Sequence, residues 1–164
     1  MKLSLSNLLP INFMGNKLED IYNFLPLLDS IATSGQPTET QFSSIADSGY
    51  QVVVNLALPE STNALPHERQ IVENQGMGYI HIPVVWENPT LDDFNRFMSE
   101  MEANKDKKIF IHCAANMRVS AFMYLYRLIH EGMSEEQAKQ DLHQIWTPNE
   151  NWQRFIEQVI KHYQ

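Results

Sequence analysis

The chain has 164 residues, 43% of them hydrophobic and 20% charged, a length and balance that suit one folded domain with a buried core. Its net charge of −8 excludes a broad basic face, and with it non-specific binding to nucleic acid or to an anionic membrane, but leaves room for a small anion held by one loop and one arginine. A single cysteine excludes an internal disulfide, and no stretch reaches the roughly 18 consecutive apolar residues of a membrane span.

Residues 1–16 read as a loosely structured N-terminal segment. They offer one early basic residue, a short apolar run interrupted by Pro10 and no small-x-small cleavage site, so no secretory signal is expected and the cytoplasm is the expected compartment. Residues 17–24 suit a short helix before Pro26, and residues 27–34 a strand that ends at Gly35-Gln36-Pro37. Thr38, with Gln41 three positions on, has the form of a capping box for a helix through Phe42, Ile45 and Ala46 that closes at Gly49. Residues 51–56 form an apolar, β-branched run, the pattern of a strand buried on both faces.

Residues 59–66 read as loop and 67–74 as a helix stopped near Gly76 and Gly78. A strand over 79–84 is broken by Trp86-Glu87-Asn88-Pro89, after which Thr90 caps a helix with Phe94, Phe97, Met98 and Met101 on one face. Residues 109–112 are another buried strand, followed by a cysteine-containing turn and an apolar helix from about 119 to 130, closed by Gly132. Two more helices, 134–145 and 149–163, are separated by Pro148. Strands alternating with helices predict a three-layer α/β fold, a central, mostly parallel sheet covered on both faces, in a single domain over 1–164.

The chemistry concentrates at His112-Cys113-Ala114-Ala115-Asn116-Met117-Arg118-Val119-Ser120. A strand that ends in a cysteine, a short turn and a long helix brings turn amides and the unpaired N–H groups of the helix's first turn to one spot, which favours an anion there. The same field favours a thiolate nucleophile. Asn116 suits the positive φ that such a bend requires, and Ser120, seven residues after Cys113, can turn its hydroxyl toward the sulfur. The competing reading is a cysteine buried as a small apolar residue; the flanking His112, Arg118 and Ser120 favour chemistry.

This loop resembles the signature of cysteine-dependent protein tyrosine and dual-specificity phosphatases. The closer similarity is to a bacterial phosphatase-like family also found fused to metallo-β-lactamase-type hydrolases. Ser34-Gly35-Gln36-Pro37-Thr38, the run from Gly49 to Leu56 and Ile80-His81-Ile82-Pro83-Val84 are similar to that family's landmarks, so the resemblance covers roughly residues 31–132. It implies a dual-specificity phosphatase fold and phosphoester hydrolysis through a phosphocysteine intermediate. Cys113 is then the nucleophile, and the amides of Ala114, Ala115, Asn116, Met117, Arg118 and Val119 form the phosphate cradle. Arg118 pairs with the oxyanion, and Ser120 assists the leaving thiolate. Such an enzyme also needs a general acid, and Glu87 is the only acid in the loop after Val84. Asp92 and Asp93 fall in the next helix's first turn, where the dipole favours acids for structural reasons.

One departure stands out. The phosphatase signature places arginine six residues after the cysteine, and that position here is Val119; Arg118 is five residues after. Loss of such a donor costs about 10²–10³ in rate, so either Arg118 enters through a reshaped loop or the site turns anions over weakly. The shorter spacing also resembles the loop of rhodanese-type sulfurtransferases, in which the cysteine carries a persulfide. Sulfur transfer through Cys113 and a non-catalytic anion or phospho-ligand module therefore stand as alternatives. The expected ligand is phosphate or another small oxyanion, presented by a phosphoprotein or a small phosphorylated molecule. The histidines show no ligand spacing, and neither metal nor cofactor is expected.

Overall fold

The computed structural model describes residues 17–164, so the expectation for residues 1–16 lies outside the described part of the chain. A single 3-10 turn at Leu18–Asp20 leads into β1 (Leu25–Leu28), β2 (Ile31–Ser34), α1 (Glu39–Asp47), β3 (Val52–Asn55), α2 (Glu68–Asn74) and β4 (Gly78–His81). α3 (Leu91–Ala103), β5 (Ile109–His112), α4 (Met117–Ile129), α5 (Glu135–Ile145) and α6 (Glu150–His162) complete the order. The strands form one sheet in the order β1-β2-β5-β3-β4, parallel except for β1. β5 therefore fills the slot between β2 and β3, the kind of crossover at which open α/β sheets bind ligands beyond their carboxyl ends.

The two-residue alternation of β5 divides the molecule into its layers. Ile109 and Ile111 enter a core shared with Phe94 and Phe97 of α3, Phe122 of α4 and Trp152 and Phe155 of α6. Phe110 enters the opposite core with Phe42 and Ile45 of α1 and Val72 of α2. The alternation runs on past the strand end. Cys113 belongs to the first core, while the ring of His112 meets Phe42 edge-on at 5.9 Å on the other side. α4 is buried all round over residues 118–127, because the sheet, α3, α5 and α6 enclose it. Each fully buried Phe there contributes about 1.5–3 kcal/mol.

Local signals set the helix starts. Thr38 and Gln41 make the reciprocal capping bonds that open α1, and Thr90 and Asp93 do the same for α3, which accounts for Asp93 structurally. Three expectations are corrected. The strand over 27–34 is a hairpin: β1 and β2 pair antiparallel about the turn at Asp29 and Ser30, and Pro26 is tolerated because β1 is an edge. The helix over 17–24 is only the 3-10 turn, since Ile21 is already extended and Asn23 adopts φ 49°. The ladder of β4 ends at His81. The next residues still follow β3, with Ile82 N–H donating to Asn55 O at 2.9 Å and Val84 N–H to Leu56 O at 3.0 Å across Pro83.

Candidate functional site

The end of β5 delivers Cys113, 1% exposed, into a turn that passes directly into α4. Asn116 makes the bend at φ 65°. Its side chain does not cap α4; its Nδ2 donates to Asn23 O at 2.9 Å and to Thr33 Oγ1 at 3.0 Å. The turn's carbonyls are held by other segments. Ala114 O accepts from Gln36 N at 3.1 Å and Asn63 Nδ2 at 3.0 Å, and Ala115 O accepts from Asn23 Nδ2 at 3.1 Å. Apart from the antiparallel bridge between Ala115 and Gly35, the main-chain N–H groups of Ala114 through Val119 have no hydrogen-bond acceptor among the described residues. Carbonyls tied to the scaffold and amides left free beside a helix N-terminus are an arrangement able to accept an anion.

Gly35 lets this turn sit against β2. A Cβ on Gly35 would lie 2.6 Å from Tyr22 Cδ1 and 2.8 Å from Ala114 O, so only a residue without a side chain permits the approach.

Arg118 is 7% exposed. Its Nη1 donates to Val84 O at 2.9 Å, and its Cζ lies 6.0 Å from the Trp86 ring centroid. The guanidinium thus ties the first turn of α4 to the chain leading to Glu87. That segment is pinned again by α6: Trp152 Nε1 donates to Trp86 O at 3.0 Å and Asn151 Nδ2 to Glu87 O at 3.1 Å. The carboxylate of Glu87 is exposed and has no hydrogen-bond partner among the described residues. Trp86 packs on Trp146 and Trp152 at 5.3 and 5.6 Å.

Ser120 does not turn to the sulfur in this structure. Its hydroxyl donates to Met117 O at 2.9 Å, as a serine one turn into a helix readily does, and accepts from Trp146 Nε1 at 3.0 Å. Val119 is fully buried in the core on the Cys113 side.

Behind the cysteine lies a polar network that sequence reading missed. Glu68, 7% exposed at the start of α2, accepts from Gln36 Nε2 at 2.5 Å, Asn55 Nδ2 at 2.9 Å, Tyr79 OH at 2.6 Å and His112 Nε2 at 2.9 Å. The other ring nitrogen of His112 lies 3.1 Å from Cys113 O. Burial alone would raise the Glu68 carboxyl, but the attraction of His112 and the hydrogen bonds from His112, Tyr79 and Gln36 outweigh it and hold the pKa at about 2. In sequence, Glu68 is one more acid in a helix's first turn, and nothing marks it as buried.

The displaced carboxyl predicts an acid-sensitive fold. A pKa lowered from 4.5 to about 2 corresponds to on the order of 3 kcal/mol of stability, fully present above pH 4.5 and lost as the pH falls through 2. Urea unfolding between pH 7 and pH 2.5 is expected to show this decline. Glu68→Gln should be less stable at pH 7 and show a shallower decline, because the titrating group is gone; an unchanged pH slope would contradict the assignment.

Among the described residues no group of His, Cys, Asp and Glu is placed to hold a metal ion, and no helix is long and apolar enough to cross a membrane.

Comparison with known proteins agrees with this fold. A family model described as "DSP-PTPase phosphatase fused to NAD+ Kinase" matches residues 18–158. A protein of Shewanella putrefaciens CN-32 described as "Putative phosphatase (DUF442)" is similar in structure, with 34% identity and a TM-score of 0.80 over 89% of this chain and 96% of that one. The core catalytic domain of the PP-IP phosphatase SIW14 from S. cerevisiae, solved with citrate, shares the fold at 17% identity, with a TM-score of 0.69 over 84% of this chain and 85% of that one. A beta-lactamase hydrolase-like protein of Xylella fastidiosa is 24% identical over 114 residues, 68% of this chain, which spans 26% of the length of that relative.

Proposed function

The chain belongs to the DSP-PTPase phosphatase family, and from that membership we propose that it hydrolyses phosphomonoesters through a covalent intermediate on Cys113. The observation that carries the reading is the turn after β5, where Cys113 sits beside amides that, the bridge to Gly35 apart, have no acceptor, while the turn's carbonyls are tied away. The five-stranded α/β architecture, shared with kinase associated phosphatase and its catalytic site cysteine, supports the reading.

In the first step the Cys113 thiolate attacks phosphorus as the ester P–O bond breaks. The oxyanions lie against the amides of Ala114, Ala115, Asn116, Met117, Arg118 and Val119, and the leaving oxygen takes a proton from Glu87. In the second step water attacks phosphorus, the P–S bond breaks, and Glu87 takes the proton that water releases. Ser120, its hydroxyl already held by Trp146, exchanges Met117 O for the departing sulfur. Arg118 serves the oxyanion from its anchor on Val84 O, because a guanidinium has further N–H donors beyond the one that this bond uses. The substrate presents phosphate or a similar oxyanion on a phosphoprotein or a small phosphorylated molecule.

Vanadate titration tests the arginine. Arg118→Ala is expected to weaken binding by about 1.5–3 kcal/mol, the range for a charged hydrogen bond, and Arg118→Lys to recover only part, since a point charge cannot reproduce the fork. Wild-type affinity in Arg118→Ala would assign the anion to the backbone alone.

A further inference from the structure

Glu68 gathers the strand ends that surround the cysteine turn. Its four donors come from just beyond β2 (Gln36), the end of β3 (Asn55), β4 (Tyr79) and the end of β5 (His112). An acid in the first turn of a helix gains its dipole stabilisation while staying in water. Taking the charge out of water costs several kcal/mol before partners compensate, so a buried carboxylate with this set of partners does more than finish α2.

The connection continues through one ring and one peptide. Nε2 of His112 faces the Glu68 carboxylate at 2.9 Å and Nδ1 faces the Cys113 carbonyl at 3.1 Å, so the ring is held between two acceptor groups. The Cys113 carbonyl and the Ala114 N–H belong to one planar trans peptide and point in opposite directions. Whatever holds the carbonyl back toward His112 therefore aims the first amide of the cradle the other way.

We propose that Glu68 is a positioning residue for the cysteine turn: by bonding Nε2 of His112 it keeps the ring on the Cys113 carbonyl, and so keeps the Ala114 N–H aimed at the anion. The cradle's pairing with an anion rests on the phosphatase reading; the aiming of the peptide does not.

The test uses the full chain and two readouts. In ligand-free protein, the ¹³C resonance of the Cys113 carbonyl and the amide resonance of Ala114 report the peptide directly; tungstate titration reports the anion. Glu68→Gln is expected to move both resonances and to weaken tungstate about tenfold, as for a lost charged hydrogen bond. Tyr79→Phe removes another Glu68 donor without touching His112. It is expected to lower the melting temperature, leave both resonances in place and leave tungstate affinity unchanged. Adding Glu68→Gln to His112→Asn is expected to cause no further loss, because the two act in series. Should Glu68→Gln fail to fold, Glu68→Asp, which draws the charge back by one methylene, is read the same way with a smaller loss expected. Unmoved resonances in the Glu68 variant, an equal effect of Tyr79→Phe on tungstate, or additive losses with His112→Asn would each overturn the proposal. A wild type that binds no tungstate would fail the phosphatase reading instead, and the resonances would still decide the role of Glu68.

Discussion

Replacement of Cys113 by serine is expected to lower hydrolysis of an activated aryl phosphate by on the order of 10⁴–10⁶, the scale on which removal of a covalent nucleophile is felt. A serine hydroxyl is a weak nucleophile without an adjacent base. The nearest imidazole, His112, offers none, because its nitrogens face Glu68 and the Cys113 carbonyl on the other side of the sheet. The cradle amides are untouched by the change, so calorimetry should find tungstate bound about as well as by wild type. Turnover that persists in Cys113→Ser would remove the thiol from the mechanism.

Val119→Arg is expected to destabilise the fold by about 3–5 kcal/mol, the cost of an uncompensated buried charge, with overpacking added. At this chain length that lowers the melting temperature by about 10 °C or more. On paper the change restores the spacing of the phosphatase signature. In the structure Val119 is fully buried with Phe122 and Cys113 in the core between the sheet and α3, α5 and α6, and no carboxylate pairs with that core face among the described residues. The shortened spacing instead points Arg118 at Val84 O and the Trp86 ring. A Val119→Arg protein with wild-type melting and faster turnover would show that the turn can revert to the longer spacing.

What could be read from the chain alone is what neighbours along it decide. The capping boxes at Thr38 and Thr90, the apolar run of β5 and the positive φ of Asn116 are local, and so is the order of strand, cysteine and helix. The β1–β2 hairpin escaped because Pro26 argues against a strand unless its edge position is known. The partners of the site escaped for a different reason. Asn23 and Asn63 hold the turn's carbonyls, Gln36, Asn55 and Tyr79 hold Glu68, and Trp146 holds Ser120, each from a segment remote in sequence. No spacing rule connects such residues; only the strand order places them together. Likewise the register of the turn, which sends Arg118 to Val84 and Val119 inward, depends on packing and not on the motif.

The most direct test of the central claim is to stop the reaction of wild-type protein with an activated aryl phosphate by rapid acid quench and read Cys113 by mass spectrometry. The account predicts a phosphoryl group on the Cys113 sulfur that forms with the burst of released phenol and disappears on hydrolysis, and that never forms in Cys113→Ser. A Cys113 that stays unmodified while phenol is released would contradict it. A persulfide formed from thiosulfate, with no phosphoryl adduct, would assign the same cysteine to sulfur transfer.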